Sequence, residues 1–432
     1  VALTGRLAAL AAVVAVALLA VPGDGWAPFW FANLALLLLA ALDVALAASV
    51  RRLVLTRSGA TSARLGDSAD VVLSVRNGGT RTARLAIRDA WPPSAGASPR
   101  VHRVRVPAGE RRRLVTTLLP TRRGDRKPAR VTVRSLGPLG LAGRQGRHVA
   151  PWQLRVLPPF TSRKFLPERL NRLRQLDGAV LIRGRGEGTE FDSLREYVDG
   201  DDVRSIDWRA TARRDTVVVR TWRPERDRRV LLVLDTSRTS AGRVGDSPRL
   251  DHAMDAALLV AALASRAGDQ VELLAYDRVQ RARVSGGSRT EVMSRLVNAM
   301  APLDPVLLEA DHRGIVAAVL RRMRRRALVV LFTELNTAVV EEGLLPSLGA
   351  LTARHTVVVA AVADPRVATM LHGRSSIHAV YGAAAAERAT AERRRLVALL
   401  RRRGVEVVDA PPESFAPAVA DAYLALKAAG RL

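Results

Sequence analysis

From residue 230 to the end of the chain, apolar runs alternate with amphipathic ones, and that alternation limits what the chain can fold into. The stretches 230–234, 271–276, 327–332, 356–363 and 405–408 are short and almost wholly apolar. A strand reads this way when helices cover both faces of its sheet. Between these runs lie helical patterns. Residues 249–267 place Leu250, Met254, Ala257, Leu258 and Ala261 on one stripe, and further helices fit 290–300, 311–324 and 387–403. Residues 281–284 suit an edge strand, and Ser414 suits a cap on the last helix. Strict alternation predicts an α/β domain over 230–432 with a mainly parallel sheet.

In such sheets ligands bind beyond the carboxyl ends of the strands. Two of those ends are polar here: Asp235-Thr236-Ser237-Arg238-Thr239 and Thr333-Glu334-Leu335-Asn336. The first resembles the Asp-x-Ser-x-Ser motif of von Willebrand factor A domains, with Thr239 in the last hydroxyl place. That resemblance implies a Rossmann-like fold and a divalent ion, Mg²⁺, held by oxygen ligands and completed by a partner's carboxylate. It also implies a hydroxyl from a middle loop. The matching loop, Leu307-Leu308-Glu309-Ala310-Asp311, has none. The third loop usually offers an aspartate and here offers Glu334. The expected ligand set is therefore Asp235, Ser237, Thr239, Asp311 and Glu334, with Glu309 or Asp311 standing in for the missing middle-loop hydroxyl. The competing reading has Asp235 and Ser237 only capping the loop that follows them.

The stretch 184–215 has a different character. Between Gly186 and Asp207 it carries eight carboxylates and two arginines; between Trp208 and Arg229 it carries eight arginines and three acids. Such halves can pair with each other or with a neighbouring domain. The order Gly186, Gly188, Phe191, Leu194, Arg195 and Tyr197, then Gly200, Asp201, Asp202, Arg204, Ile206, Asp207 and Trp208, then Ala212 and Arg213, resembles the signature of the bacterial domain-of-unknown-function fifty-eight proteins. The resemblance implies an N-terminal membrane hairpin, a small β domain and a von Willebrand factor A-like domain. It also implies a MoxR-type AAA+ ATPase as the partner. Within the signature, Tyr197 and Trp208 read as core anchors. Arg195, Arg204, Asp201, Asp202 and Asp207 read as members of charge-assisted pairs.

Upstream, residues 7–21 are an unbroken apolar run, and 26–50 a second one interrupted by Asn33 and Asp43. Pro22, Gly23, Asp24 and Gly25 form a polar turn between them, with Trp26 and Trp30 placed for a membrane interface. Residues 1–50 thus read as a two-helix transmembrane hairpin. A cleavable signal peptide is the alternative for the first run. Arg51, Arg52 and Arg57 follow the second run, so the positive-inside rule puts the remainder on the cytoplasmic side of the inner membrane. From 65 to 147, short alternating runs with Gly and Pro punctuation predict an immunoglobulin-like β-sandwich over 51–150. The segment Gly137-Pro138-Leu139-Gly140-Leu141 also resembles the family's β domain. Residues 151–229 are a linker, with Leu170, Leu173 and Leu176 at helical spacing, followed by the signature.

Composition narrows the function. There is no cysteine, hence no disulfide and no thiolate metal site. No Gly-x-x-x-x-Gly-Lys and no His-Glu-x-x-His occurs, which removes the P-loop and zincin routes. The net charge of +27 is almost all arginine. It fits either a compositional bias of the coding sequence or attraction to phosphates of lipid or nucleic acid. The expected function is a membrane-anchored, cytoplasm-facing scaffold or adaptor with no catalytic residues. The alternatives are a hydrolase using Glu187, Glu190 and Asp207, and binding of nucleic acid or anionic lipid through arginine.

Overall fold

The computed structural model describes residues 1–19, 26–183, 190–199, 201–213, 216–223 and 228–432, with side chains except at 177–183, 190–193, 221–223 and 289–290. The turn at Pro22 to Gly25, the signature glycines Gly186, Gly188 and Gly200, and the side chain of Phe191 lie outside the described residues. The chain divides into two compact units, Val1–Pro158 and Pro159–Leu432.

The first unit begins with helices α1 (Gly5–Leu18) and α2 (Ala27–Leu46). Helix α2 has 20 residues and so is about 30 Å long, the thickness of a bilayer's hydrocarbon core. It is apolar on every side, and among the described residues it alone is long and apolar enough to cross a membrane. Helix α1 is equally apolar but has 14 residues.

Seven principal strands follow: β1 (Leu53–Gly59), β2 (Ala69–Asn77), β3 (Ala83–Arg88), β4 (Val101–Val106), β5 (Arg111–Leu118), β6 (Val131–Leu136) and β7 (Ala142–His148). One sheet runs Ala2–Leu3, β7, β6, β3, β4; the other runs β1, β2, β5, Ala97–Ser98. All of these pairings are antiparallel. Alternation puts Leu73 and Val75 of β2 against Leu85 and Ile87 of β3 and Val131 and Val133 of β6, in one core shared by both sheets. Each such side chain contributes about 1.5–3 kcal/mol by leaving water. The result is a β-sandwich. A short third sheet, Leu154–Leu157 between Ser62–Arg64 and Gly124–Arg126, carries the unit on to residue 158.

Asp43, the polar interruption in α2, is fully buried. Its carboxylate accepts N–H bonds from Leu139 (2.8 Å) and Leu141 (2.7 Å), in the loop between β6 and β7, and from Ala142 (2.8 Å), the first residue of β7. Gly137 lies so close that a Cβ there would overlap the carboxylate. Thr4 grips the same loop by donating its hydroxyl to the carbonyls of Gly140 and Leu141. The family-like segment 137–141 is therefore the joint between helix and sandwich.

The second unit opens with α3 (Leu166–Arg183), which has Pro167 in its first turn. Leu173 of α3 is buried, and Arg169 pairs with Asp421 at 2.8 Å, so this helix is part of the α/β unit rather than a free linker. The signature follows as a two-stranded hairpin, β8 (Glu190–Glu196) and β9 (Val218–Arg223). The principal elements that remain are β10 (Arg229–Asp235), α4 (Arg249–Arg266), β11 (Gln270–Tyr276), β12 (Gln280–Val284), α5 (Arg289–Met300), α6 (His312–Arg322), β13 (Leu328–Phe332), α7 (Leu345–Thr352), β14 (Thr356–Val362), α8 (Ile377–Arg402), β15 (Glu406–Ala410) and α9 (Pro412–Ala428).

The sheet order is β12-β11-β10-β13-β14-β15. Only β12, at one edge, is antiparallel. Numbered within the sheet this is 3-2-1-4-5-6, a doubly wound sheet whose order reverses between β10 and β13. Two expectations need correction. Helix α8 starts at Ile377, ten residues before the charged stretch suggested, because Ser376 caps it and its first turns are alanine-rich. Helix α9 is entered through Pro411, and Ser414 sits in its first turn with its hydroxyl donated to the Pro411 carbonyl.

Candidate functional site

The reversal of strand order opens a crevice at the carboxyl ends of β10 and β13, and both strands deliver polar residues there. Asp235 ends β10 and is buried. Its Oδ1 accepts the Ser237 backbone N–H at 2.8 Å. Its Oδ2 accepts the hydroxyls of Thr333 at 2.7 Å and Thr239 at 3.3 Å. The Ser237 and Thr239 hydroxyls lie 3.1 Å apart. Ser240 donates its hydroxyl to the Asp235 carbonyl at 2.6 Å, which fixes the turn beneath the cluster. One carboxylate and three hydroxyls thus share a small volume.

The neighbouring loop is anchored through Thr236. Its hydroxyl donates to Asp277 at 3.0 Å, and its carbonyl accepts the Val306 N–H. Burial would raise the Asp277 carboxyl. Arg281, the N–H groups of Arg278 and Val279, and the Thr236 hydroxyl outweigh it and hold that carboxyl below its ordinary value. Arg238 N–H donates to the Leu308 carbonyl, laying the 307–311 loop against the Asp235 loop. Leu307 (75% exposed), Leu308 and Val279 then stand in solvent beside the cluster.

The expected ligands divide into two groups. Asp235, Ser237 and Thr239 come together. Asp311 instead caps α6 by accepting the Gly314 N–H at 2.8 Å. Glu334 is clamped between two guanidiniums, Arg393 Nη1 at 2.6 Å and Arg249 Nε at 2.6 Å. Burial works against the charge of Arg393, but Asp409 and Glu334 more than offset it and raise its pKa. Glu309 reaches out to Arg238 in an exposed pair. Among the described residues no three His, Asp or Glu side chains converge as metal ligands. The oxygen cluster rests on a single carboxylate.

Sequence reasoning missed Thr333, which supplies the hydroxyl that 307–311 lacks. Its signal was its place directly after the apolar strand β13. It also missed His312, the first residue of α6. Burial drives the pKa of its ring down, against the opposing influence of Asp235 and Asp311, and its Nε2 has no hydrogen-bond partner among the described residues.

The signature residues build a local frame. Arg195 forks onto Asp201 at 2.7 and 2.6 Å, and that pairing raises the arginine's pKa. Asp202 accepts the Arg204 N–H. Asp207 caps the helical turn Trp208–Thr211 and accepts Arg220 Nε at 2.8 Å, which lowers its carboxyl's pKa. The pairing partner of Asp207 is thus Arg220, and Arg204 contributes its backbone. Tyr197 is half-buried, but Trp208 is 65% exposed and anchors no core; Arg213 is exposed as well. For a carboxylate hydrolase the placement is unhelpful. Asp207 is fully engaged, and Glu187 and the side chain of Glu190 lie outside the described residues.

Fold and site together define a class: a multi-domain protein with N-terminal helices, a β-sandwich and a doubly wound α/β unit carrying an oxygen cluster at its switch point. Within that class, residues 193–404 match the model of the DUF58 family, described as a protein of unknown function. Uncharacterized proteins of Mycobacterium tuberculosis (strain ATCC 25618 / H37Rv) and Mycobacterium bovis (strain ATCC BAA-935 / AF2122/97) are 30% identical over 184 residues, covering 42% of this chain and 57% of each relative. The matched stretch is thus little more than half of those relatives' length. Among solved structures, the CARDB domain of a Pyrococcus furiosus protein in complex with di-metal ions is 17% identical, covering 24% of this chain and 86% of that one at a TM-score of 0.19. Native alpha-2-macroglobulin from Escherichia coli is 16% identical, covering 26% of this chain and 18% of that one at a TM-score of 0.21.

Proposed function

We propose that this chain is a membrane-anchored, cytoplasm-facing scaffold or adaptor whose C-terminal unit docks another protein at the switch-point rim. The unit is von Willebrand factor A-like in its strand order and in its Asp235, Ser237 and Thr239 motif. The observation that carries the reading is the Asp235–Thr333 hydrogen bond of 2.7 Å, which joins the two polar strand ends into one oxygen-rich floor beside exposed Leu307 and Leu308. Exposed apolar side chains next to polar groups are a feature of protein-binding surfaces.

The donor set fits Mg²⁺. Carboxylate and hydroxyl oxygens are hard ligands, and Mg²⁺ keeps several waters, so few protein groups are needed. Asp235, Ser237, Thr239 and Thr333 would hold the ion. Its chemistry there would be to offer a coordination position to a partner's carboxylate. Glu334 is not required, because Arg249 and Arg393 already balance its charge.

The family resemblance supplies the partner, a MoxR-type AAA+ ATPase, and with it a role in maturation or assembly of other proteins. Helices α1 and α2 supply the anchor as a transmembrane hairpin. Arg51 and Arg52, both exposed after α2, favour the cytoplasmic orientation. Arg57 does not add to that signal, since it is buried against Asp89 at 2.5 Å.

The test is capture of the MoxR-type ATPase by the full chain in lipid nanodiscs, with Mg²⁺ or with chelator. Capture should fall to background with chelator, and in Asp235→Ala combined with Ser237→Ala. Equal capture in all arms removes Mg²⁺-dependent docking.

A further inference from the structure

A second site lies in the first unit, at the foot of α2. The chain leaves the helix at Ala47 and passes through Ser49 to Arg52, and together with the turn at 79–81 and Arg144 of β7 it lines a half-open cavity of about 220 Å³. Three of the lining residues are arginines and none is acidic. Two of those arginines are held in place by the helix itself. Arg144 donates Nε to the Val44 carbonyl at 3.0 Å, and Arg81 donates Nη1 to the Ala45 carbonyl at 3.2 Å. Cations at a helix C-terminus satisfy the orphan carbonyls and complement the macrodipole. Each guanidinium has five N–H donors, so both keep donors to spare. Arg52 makes no side-chain hydrogen bond or ion pair among the described residues. The nearby Asp43 carboxylate is committed to three backbone N–H groups and is not among the residues that line the cavity.

Position decides what such a cavity meets. Trp26 and Trp30 are exposed at the start of α2, where interfacial aromatics sit. A helix about 30 Å long then reaches the opposite headgroup layer at Ala45–Leu46, where the cavity opens. The volume is below the ~300–1,000 Å³ of a drug-sized pocket and suits a small polar headgroup. Arginine forks match phosphate oxygens in pairs.

The geometry points to a binding site for the phosphate of an anionic phospholipid, formed by Arg52, Arg81 and Arg144, with the Ser49 and Thr80 hydroxyls in reach of the headgroup. Occupancy would fix the depth of the helix end and stiffen the joint to the sandwich. The inference rests on the membrane-anchor reading above.

The experiment uses the full chain in nanodiscs of phosphatidylcholine alone or mixed with phosphatidylglycerol, with retained lipid counted by native mass spectrometry. Incorporation into neutral discs tests the anchor by itself, and failure there overturns both readings. Given incorporation, wild type should retain phosphatidylglycerol over phosphatidylcholine by about fivefold or more. Arg52→Gln with Arg81→Gln and Arg144→Gln should bring the ratio near parity. Arg103→Gln with Arg105→Gln and Arg113→Gln removes equal charge from exposed β4 and β5 positions and should leave the ratio unchanged. Arg81 and Arg144 also hold the helix end, so Arg52→Gln alone is the variant that keeps the fold, and it should lower the ratio about twofold. An unchanged ratio in both the triple and the single variant overturns the site. So does a thermal shift with inorganic phosphate in neutral discs that equals the shift with phosphatidylglycerol, since the cavity would then take the free anion.

Discussion

Two buried aspartates, one in each unit, show how the same side chain serves different ends. Asp43 gives its carboxylate wholly to backbone N–H groups, whose positions the loop between β6 and β7 and the first residue of β7 fix. Asp235 gives one oxygen to a backbone N–H and the other to the hydroxyls of Thr333 and Thr239. A hydroxyl is donor and acceptor at once, and its proton turns to suit a new neighbour. A carboxylate tied only to backbone is a fastener. One bridged by hydroxyls can pass an oxygen to an incoming ion without breaking the fold. A third arrangement, Glu334 between Arg249 and Arg393, is a buried ion-pair cluster whose two guanidiniums hold the carboxylate's charge.

The comparison breaks most visibly at Asp43. Asp43→Ala would strand three N–H groups inside the first unit and should cost about 3 kcal/mol or more. Chemical denaturation in nanodiscs should show the loss, and limited proteolysis should cut at 137–142 in the variant and not in wild type. Asp235→Ala should cost the second unit less, since it strands one backbone N–H, that of Ser237, and its two hydroxyl partners, Thr333 and Thr239, can turn to other acceptors. Equal losses would remove the distinction between fastener and responsive site. The clamp comes next. Glu334→Gln leaves Arg249 with only the more distant Asp364 and Arg393 with Asp409, for a loss of about 2 kcal/mol in unfolding free energy. A variant as stable as wild type would mean that the clamp matters for charge balance rather than for the fold.

How much of this was legible beforehand depends on which force set each feature. The strands at 230–234 and 327–332 are written in apolar residues and were readable, because burial on both faces leaves nothing else to choose. Strand β7, Ala-Gly-Arg-Gln-Gly-Arg-His, has no apolar pattern and is a strand only because β6 and Ala2–Leu3 pair with it. The oxygen cluster was half legible. Its first loop is a contiguous motif, whereas Thr333 joins it only through a sheet order that brings β13 beside β10. Asp311 and Glu334 looked like ligands by type, but the N-terminus of α6 and two arginines claimed them first. Trp208 misled because aromatic size suggests burial, while the hairpin it belongs to has two strands and a short helical turn, too little to enclose it.

Two smaller effects sharpen the contrast. Thr333→Val keeps the shape and deletes the hydroxyl that sequence reasoning missed, so it should weaken Mg²⁺ binding about tenfold in calorimetric titration and, by losing a buried bond to Asp235, lower the unfolding midpoint by a few degrees. Unaltered affinity would place the ion, if bound, on the first loop alone. The smallest effect concerns Asp277, which lies between the two extremes, with Thr236 and Arg281 as side-chain partners and two backbone N–H groups besides. Its folded pKa is depressed, so its contribution is present above the unfolded carboxylate range and is lost as pH falls through the folded value. Asp277→Asn should therefore flatten the acid limb of the stability profile below about pH 4 and cost about 1 kcal/mol or less at neutral pH, because Arg281 is partly exposed. An acid limb as steep as that of wild type would assign the pH dependence to other carboxylates, with Asp207 and Asp364 the next to examine, since arginine partners lower both.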